Sequence, residues 1–411
     1  MLHFHSQHAP HPYFDADGDT LLIGGRRVTD LAREMGRTPF YAYDRRVIAR
    51  KIEELRSIMP PDLHLHYAMK ANPMPAVVKH VQPLVDGFDV ASAGEMRVAL
   101  GAGMAADLIS FAGPGKSPAE LAEAVAAGIT LNVESELEVQ RLVAIAEQRG
   151  VRPRVAVRVN PDFELKSSGM KMSGGPKQFG IDAERVPALL QQLRQLPLEF
   201  VGFHIFSGSQ NLRAEVIVEA QQKSVALAIE LAKFAPAPIR TLNIGGGFGV
   251  PHFPGEKPLD LAAVGAGLRT QAAVLERELR GARLVVELGR YIVQESGVYV
   301  CSVLDRKVSR GHVFLIVDGG LHHHLAASGN FGQILRKNYP VVIANRIGAE
   351  RRESASVVGP LCTPLDLLAD RMELAQAEVG DLVAVMQSGA YGFTASPRGF
   401  LSHPEPQEIL V

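Results

Sequence analysis

Lys70 is the residue of this sequence whose type and position most directly suggest chemistry. It follows the stretch His64 to Ala68, in which polar and apolar residues alternate as in a β-strand, and Pro73 ends the stretch. Its neighbours Met69 and Ala71 are apolar, so the amine can be partly desolvated, a condition that favours Schiff-base chemistry. A solvated lysine that merely ends a strand is the alternative, and Lys70 alone does not decide between them.

Polar residues also lie in or directly after the other strand-like stretches. They are Asp89, Glu134, Arg158, Asn160, His204 and Ser207, together with Glu287 and Arg290 in the stretch Glu287 to Arg290. The glycines Gly245 to Gly247 follow another of these strands. The carboxyl ends of barrel strands share one face, where such residues form active sites. The three consecutive glycines leave backbone N–H groups accessible to an anion such as phosphate, although a glycine run by itself is also typical of a plain turn.

The elements that must position these residues alternate between strand-like and helical patterns. The strand-like stretches begin near residues 64, 87, 108, 130, 154, 198, 241 and 283. Helical patterns include those at about 45–58, 118–127, 134–148 and 214–234. Eight strands with intervening helices predict an α/β fold with a parallel (β/α)8 barrel.

The last third of the chain has a different pattern. Short β-rich runs at 298–300, 313–317, 341–343 and 382–385 have few helices between them, which predicts a mostly antiparallel β domain. A hairpin at residues 21–28 lacks another sheet to pair with, so we expect it to join this domain. The predicted domains are a barrel, residues 37–283, and a β domain, residues 1–36 with 284–411.

Composition excludes several classes of partner. The chain has 411 residues, and 43 Lys and Arg balance 44 Asp and Glu, which gives no electrostatic reason to bind nucleic acid or an anionic membrane. Two cysteines fit a reducing compartment. The polar, histidine-rich N-terminus lacks the apolar core of a signal peptide, and no apolar run is long enough for a membrane span. We therefore expect a soluble, cytoplasmic protein.

The motifs resemble those of fold type III PLP-dependent amino-acid decarboxylases, the ornithine, arginine and diaminopimelate decarboxylase family, over nearly the whole chain. The matching motifs, in family order, are Tyr67 to Asn72, His204 to Ser209, Gly245 to Gly249, Glu287 to Arg290, Cys362 to Asp366 and Gly389 to Gly392. The resemblance implies the alanine racemase-like fold, pyridoxal 5′-phosphate (PLP) as cofactor, and a homodimer with shared active sites.

The resemblance also implies a role for each matching residue. Lys70 would bind the cofactor as a Schiff base, His204 would stack on the pyridine ring, and Glu287 would pair with the ring nitrogen and keep the ring an electron sink. The full predicted cofactor set is Lys70, Asp89, Arg158, His204, Ser207, Gly246, Gly247, Glu287, Arg290 and Tyr391. Of these, Ser207, Gly246, Gly247, Arg290 and Tyr391 would hold the phosphate.

Cys362 matches the family cysteine that returns a proton to Cα across the dimer interface, although free cysteines are commonly just buried. Asp366 matches an aspartate used near the substrate. Two residues depart from the family pattern: Leu288 stands where proline is usual, and Thr363 stands where enzymes acting on a distal ammonium carry an acidic residue. Thr363 therefore makes lysine, ornithine and diaminopimelate less suitable substrates.

Further details resemble a subgroup that includes the exosortase-associated decarboxylases and the butirosin-pathway decarboxylase of glutamate carried by an acyl-carrier protein. The residues concerned include Ser168 to Met172, Gly247 to Pro251 and Pro360 to Pro364. The expected substrate is an amino acid without a distal ammonium, such as a carrier-linked glutamyl group. A diaminopimelate decarboxylase, an amino-acid racemase and a non-catalytic PLP-binding protein are the alternatives; Glu287 disfavours the racemases, which place arginine there.

Two other features are not assigned to the chemistry. Adjacent residues of the run His322 to His324 would point to opposite faces of a strand, so we expect no metal site there. The glycine-rich stretch 162–181 is long for a simple connection, and we expect it to act as a mobile lid.

Overall fold

The computed structural model describes residues 7–9, 11–163, 170–171, 174–331, 333 and 336–411. The chain forms two compact units. The barrel unit consists of Lys51–Gly249 and Leu259–Gly289, and the β unit consists of Met1–Arg50, Val250–Pro258 and Arg290–Val411.

The strands are numbered in chain order. They are β1 Ala16–Asp17, β2 Thr20–Ile23, β3 Arg26–Arg27, β4 Phe40–Tyr43, β5 His64–Ala68, β6 Gly87–Val90, β7 Ile109–Phe111, β8 Thr130–Val133, β9 Arg154–Asn160, β10 Met170–Lys171, β11 Ile181–Asp182, β12 Glu199–His204, β13 Gly208–Ser209, β14 Thr241–Gly246, β15 Arg283–Leu288, β16 Gly297–Ser309, β17 His312–Val317, β18 Val341–Ile343, β19 Arg352–Val358, β20 Leu367–Ala375, β21 Leu382–Val385 and β22 Gln407–Leu410.

The helices are numbered in the same way. They are α1 Val28–Met35, α2 Arg45–Ile58, α3 Pro75–Val81, α4 Ala93–Gly101, α5 Pro118–Ala127, α6 Glu136–Arg149, α7 Val186–Leu193, α8 Ala214–Ala232, α9 Leu261–Glu278 and α10 Arg290–Val293. Short 3-10 turns lie at Met69–Ala71, Gln82–Leu84, Ala106–Leu108, Gln294–Ser296 and Phe400–Ser402.

The barrel unit contains a closed parallel sheet in the order β5-β6-β7-β8-β9-β12-β14-β15, and β15 pairs back to β5. Each strand begins within one residue of its predicted start, because short apolar and alternating runs bounded by polar or glycine residues are strong strand signals. The predicted (β/α)8 barrel is confirmed.

The β unit is built around the long strand β16. Its first half pairs antiparallel with β4 and β21, and its second half pairs antiparallel with β17. β18 and β20 extend the sheet antiparallel, whereas β17–β19 and β4–β22 are parallel pairs. The predicted separate, mostly antiparallel β domain is therefore confirmed.

The N-terminal strands β1, β2 and β3 form a small antiparallel sheet of their own. They join the β unit by packing: Leu21 and Ile23 are buried in one core with Phe40, Val298 and Met386. The expected association of the hairpin with the β domain is thus achieved through a shared core and not through pairing with the main sheet.

The two units differ from the predicted domain bounds, 37–283 and 1–36 with 284–411, at both joins and in the segment Val250–Pro258, which belongs to the β unit. β4, with the motif Phe40-Tyr41-Ala42-Tyr43, pairs with β16 in the β unit, and its residues are all buried. β15 extends to Leu288, because residues 285–288 pair with β5 in the barrel. Strand pairing between residues far apart in sequence decides both joins.

The described helices include none that is long and apolar enough to cross a lipid bilayer.

Candidate active site

Lys70, His204 and Glu287 meet at the carboxyl-terminal end of the barrel strands. Lys70 lies in the 3-10 turn after β5, and its side chain is half exposed, with Nζ 3.5 Å from Oε1 of Glu287. The other carboxylate oxygen of Glu287 lies 3.0 Å from Nε2 of His204 at the end of β12. Asn243 donates a hydrogen bond to the same oxygen over 3.1 Å. Three residues that were predicted to act together therefore lie in contact.

Glu287 is ionised in this arrangement. Burial by itself raises the pKa of its carboxyl group, but the positive charges of Lys70 and His204, a hydrogen bond from His204 and the charge of Arg158 outweigh burial and hold the pKa well below its usual value. A buried carboxylate that stays charged can hold a proton on a neighbouring nitrogen base.

Asn243 was not identified from the sequence. It lies in β14 between Leu242 and Ile244, and a polar residue inside an apolar strand was the available signal. Asp89, by contrast, was predicted and is buried in β6, where it accepts a hydrogen bond from Ser110 and lies 3.4 Å from Nδ1 of His66.

Arg158 is buried and paired with Glu134. Its Nη1 donates to Oε1 of Glu134 over 2.8 Å, and its guanidinium lies over the ring of Phe179 at 5.0 Å. Glu134 also accepts hydrogen bonds from the backbone N–H groups of Gly113 and Gly180, at 2.6 Å and 3.1 Å. The pair therefore connects three loops at the carboxyl ends of the strands.

Beneath Glu134 lies a second buried ion pair that the sequence did not reveal. Lys116 is 1% exposed, its Nζ lies 2.6 Å from Oε1 of Glu138, and it also donates to the carbonyl oxygens of Gly113 and Asn132. The other oxygen of Glu138 accepts the backbone N–H of Glu134 over 3.2 Å. The pair thus supports the position of Glu134.

The glycine run after β14 packs so closely against neighbouring residues that no side chain would fit there. A Cβ atom at Gly246 would lie 2.2 Å from the carbonyl oxygen of Glu287, and one at Gly247 would lie 2.2 Å from that of Gly208. Gly245 and Gly247 also have positive φ angles of 68° and 75°. Ser207, the predicted phosphate ligand, lines a small cavity with these glycines.

Arg290 and Tyr391, the other predicted phosphate residues, lie in the β unit. The Arg290 guanidinium carbon is 4.8 Å from the centroid of the Tyr391 ring, and Nη1 donates to Oε1 of Gln294 over 2.9 Å. Tyr391 adopts a positive φ of 55°, unusual for a residue with a side chain. A conformation of this kind is commonly retained for a functional reason.

Cys362 is exposed, so burial does not explain its presence. Thr363 beside it is half buried, and its hydroxyl accepts the N–H of Leu365 at 3.3 Å. Asp366 is buried, and its two carboxylate oxygens accept the backbone N–H groups of Leu321 and Leu361 at 2.6 and 2.8 Å. Asp366 therefore holds two loop segments in place through these hydrogen bonds. Its role near a substrate stays a prediction.

The histidine run His322 to His324 and the predicted lid are not assigned a role in the candidate site. The ring centroids of His322 and His323 lie 3.7 Å apart with the ring planes tilted by 42°, while His324 hydrogen-bonds to Ser388. Among the described residues, no group of three or more His, Cys, Asp or Glu is arranged to hold a metal ion. Within the stretch 162–181, residues 164–169 and 172–173 lie outside the described part, so the lid stays a prediction.

A cavity of about 220 Å³ lies elsewhere in the barrel. Strand-start residues such as Thr130, Arg154, Thr241 and Arg283 line it. These residues mark the amino-terminal face of the barrel, whereas barrel chemistry takes place at the carboxyl-terminal face. We therefore place the candidate active site at Lys70 and not at this cavity.

The barrel residues fit PLP. Lys70 offers an accessible amine for the aldehyde, Glu287 offers a buried, ionised carboxylate for a pyridine nitrogen, and Gly246 and Gly247 offer a backbone free of side chains for a phosphate.

Comparison with known proteins supports PLP as the cofactor. Residues 45–294 match the family model described as pyridoxal-dependent decarboxylase, pyridoxal binding domain. The chain is 40% identical over 383 residues to the L-glutamyl-[BtrI acyl-carrier protein] decarboxylase of Niallia circulans, covering 91% of this chain and 88% of the relative. It is 32% identical over 382 residues to the 2-[(L-alanin-3-ylcarbamoyl)methyl]-2-hydroxybutanedioate decarboxylase of Staphylococcus aureus, covering 90% and 93%.

A solved structure of a decarboxylase has a fold similar to that of this chain. The crystal structure of diaminopimelate decarboxylase from Helicobacter pylori complexed with L-lysine superimposes with a TM-score of 0.83 at 28% identity, covering 93% of this chain and 94% of that one. The family resemblance and the cofactor predicted from the motifs are confirmed. The chain therefore belongs to the pyridoxal-dependent decarboxylases, and it is a PLP-dependent carboxy-lyase that acts on an amino acid.

Proposed function

We propose that the chain decarboxylates an amino acid whose distal end carries no ammonium group, with glutamate linked to an acyl-carrier protein as the leading candidate. The observation that carries this proposal is Thr363, which follows Cys362 where enzymes that bind a distal ammonium carry an acidic residue. A neutral hydroxyl cannot balance a buried ammonium, whereas it tolerates an acyl or amide group.

The geometry of the loop supports the proposal. Asp366 is the acidic side chain of the segment 360–366, but both of its oxygens accept backbone N–H groups and it is 3% exposed. Burial raises the pKa of Asp366, and its two backbone hydrogen bonds only partly offset that effect. Asp366 is therefore a poor partner for a substrate ammonium.

The names of two relatives point in the same direction. One acts on an L-glutamyl group linked to a carrier protein, and the other on an L-alanin-3-yl group linked through a carbamoyl group. In both named substrates, an acyl or amide group joins the amino acid to the rest of the molecule. Diaminopimelate, the substrate named for the solved relative, is the second candidate.

We propose the following roles for the site residues. Bound PLP supplies an electron sink for the electron pair released when the α-carboxylate leaves as CO2. Lys70 provides the amine that attaches the cofactor, and the ionised Glu287 holds a proton on the pyridine nitrogen. His204 packs against the ring and excludes water from it.

The remaining roles concern the phosphate and the last proton transfer. Ser207, Gly246, Gly247, Arg290 and Tyr391 bind the phosphate, Arg290 through charge-assisted hydrogen bonds. The Cys362 thiol donates a proton to Cα after CO2 has left. We propose a homodimer in which Cys362 of one subunit completes the site of the other.

The test is CO2 release by the PLP-loaded enzyme from a matched panel of substrates. The panel contains free lysine, ornithine, meso-diaminopimelate and glutamate, together with glutamate linked to an acyl-carrier protein. We expect the carrier-linked or acidic substrates to have kcat/KM at least about a hundredfold above the substrates with a distal ammonium, since an unbalanced buried charge costs several kcal/mol.

The matched variant is Thr363→Glu, which restores an acidic residue at this position. It should move the preference toward the distal ammonium, whereas Thr363→Ser should leave it unchanged. Efficient turnover of meso-diaminopimelate by the unmodified enzyme, without activity on carrier-linked glutamate, would show that Thr363 does not set the specificity.

A further inference from the structure

His252 is a buried histidine that the proposed chemistry does not use. It lies in the segment Val250–Pro258 of the β unit and is 6% exposed. Burial, helped by the positive charge of Arg290, lowers the pKa of His252 to about 3, so the imidazole is neutral at physiological pH.

A continuous set of contacts joins His252 to Arg290. Nη1 of Arg290 donates to Oε1 of Gln294 over 2.9 Å, and the amide nitrogen of Gln294 faces Nε2 of His252. On the far side, Nδ1 of His252 lies 2.9 Å from the carbonyl oxygen of Val250. Gln294 and His252 are fully or almost fully buried, so their contacts are protected from water.

Only one arrangement of protons satisfies these contacts. A guanidinium can only donate, so the amide oxygen of Gln294 must face Arg290 and the amide nitrogen must donate to His252. Nε2 of His252 therefore carries no proton, and Nδ1–H donates to Val250. The neutral histidine fixes the orientation of the Gln294 amide, and the amide in turn presents an acceptor to Arg290.

Packing holds His252 and Arg290 in place. The ring of His252 lies edge-on to Tyr339 with centroids 5.1 Å apart, and Pro251 accepts a hydrogen bond from Gln387 over 2.9 Å. Tyr339 itself is hydrogen-bonded to Arg290. Arg290 thus has oriented partners in Gln294 and Tyr339, besides the Tyr391 ring at 4.8 Å.

We propose that His252 and Gln294 are positioning residues that orient the Arg290 guanidinium toward the cofactor phosphate. The proposal rests on the phosphate role proposed for Arg290, because it explains how the chain fixes that side chain before the anion binds. An arginine held in one orientation loses less conformational freedom on binding than a mobile one.

The test compares affinities for PLP and for pyridoxal, which has the same ring and aldehyde but no phosphate. Each is titrated into PLP-free protein by absorbance, with His252→Phe and His252→Gln as the paired variants. Phenylalanine keeps the ring packing but removes the Nε2 acceptor, and glutamine restores an acceptor. We expect His252→Phe to weaken PLP binding by up to about tenfold, the size of one lost hydrogen bond, and His252→Gln to recover most of this loss.

Four results separate this inference from the proposed phosphate role. If Arg290→Ala leaves PLP affinity unchanged, the phosphate role fails. If Arg290→Ala weakens binding but His252→Phe does not, or if the two losses simply add, the positioning role fails, because residues in one network are not additive. An equal loss of pyridoxal affinity would also overturn it, since the phosphate would then not be involved.

Two further variants keep the test decisive. Gln294→Leu removes the central amide and should reproduce the phosphate-specific loss if His252→Phe does not fold. His312→Phe is the matched control, because His312 packs on Phe314 in another part of the β unit and should leave both affinities unchanged.

Discussion

The buried pair Lys116–Glu138 allows a quantitative test of how the barrel supports its site. The change is Glu138→Leu, which leaves the Lys116 ammonium buried beside two carbonyl oxygens without its carboxylate partner. The same change removes the acceptor for the backbone N–H of Glu134, the residue that holds Arg158. We expect a loss of both stability and cofactor affinity.

The magnitude follows from the geometry. Charges 2.6 Å apart attract by about 6 kcal/mol at an effective dielectric constant of about 20, before the cost of desolvation is subtracted. Burial raises the pKa of Glu138, and Lys116 offsets only part of that shift, so the intact pair gives little net gain over apolar side chains. Removing one partner should nevertheless cost about 3–5 kcal/mol, because the other charge stays buried.

The assay is urea unfolding of PLP-free protein, followed by circular dichroism. Glu138→Leu should lower the free energy of unfolding by about 3–5 kcal/mol, whereas the double variant Lys116→Met with Glu138→Leu should recover most of it. Glu136→Gln, which breaks the exposed pair with Arg185, is the control and should cost less than about 1 kcal/mol. A double variant as unstable as the single one would refute the electrostatic argument.

Three other predictions follow from the site and its supports. Lys70→Ala should abolish the visible absorbance of bound PLP, and an unchanged imine spectrum would remove Lys70 from its role. Inactive Lys70→Ala and Cys362→Ala proteins should regain activity when mixed, through hybrid dimers; a fully exchanged mixture that stays inactive would exclude shared sites. Asp86 accepts hydrogen bonds from the Arg56 side chain and from the backbone N–H of Leu65 in β5. Burial tends to raise the pKa of Asp86, but these hydrogen bonds and the charge of Arg56 lower it overall. Its stabilising contribution is therefore complete above the unfolded pKa of about 4 and is lost as pH falls through the lower folded value, so Asp86→Asn should reduce the pH dependence of unfolding below about pH 4.

Local sequence patterns were sufficient to predict the barrel and to identify polar residues at the ends of its strands. Strand starts follow from apolar and alternating runs, and Lys70, His204 and Glu287 follow from polar residues placed where those strands end. The order of the barrel strands around the closed sheet then brings these three side chains together. Such features are visible in sequence because each depends on a few neighbouring residues.

The supporting contacts depend instead on pairs that are distant in sequence. β4 belongs to the β unit because it pairs with β16, more than 250 residues later, and no local pattern records that choice. The same holds for Asn243 with Glu287 and for His252 with Gln294 and Arg290. The sequence by itself therefore predicted which residues carry the chemistry. Only the tertiary structure decided which residues contact and support them, because contact between segments that are distant in sequence is set by packing.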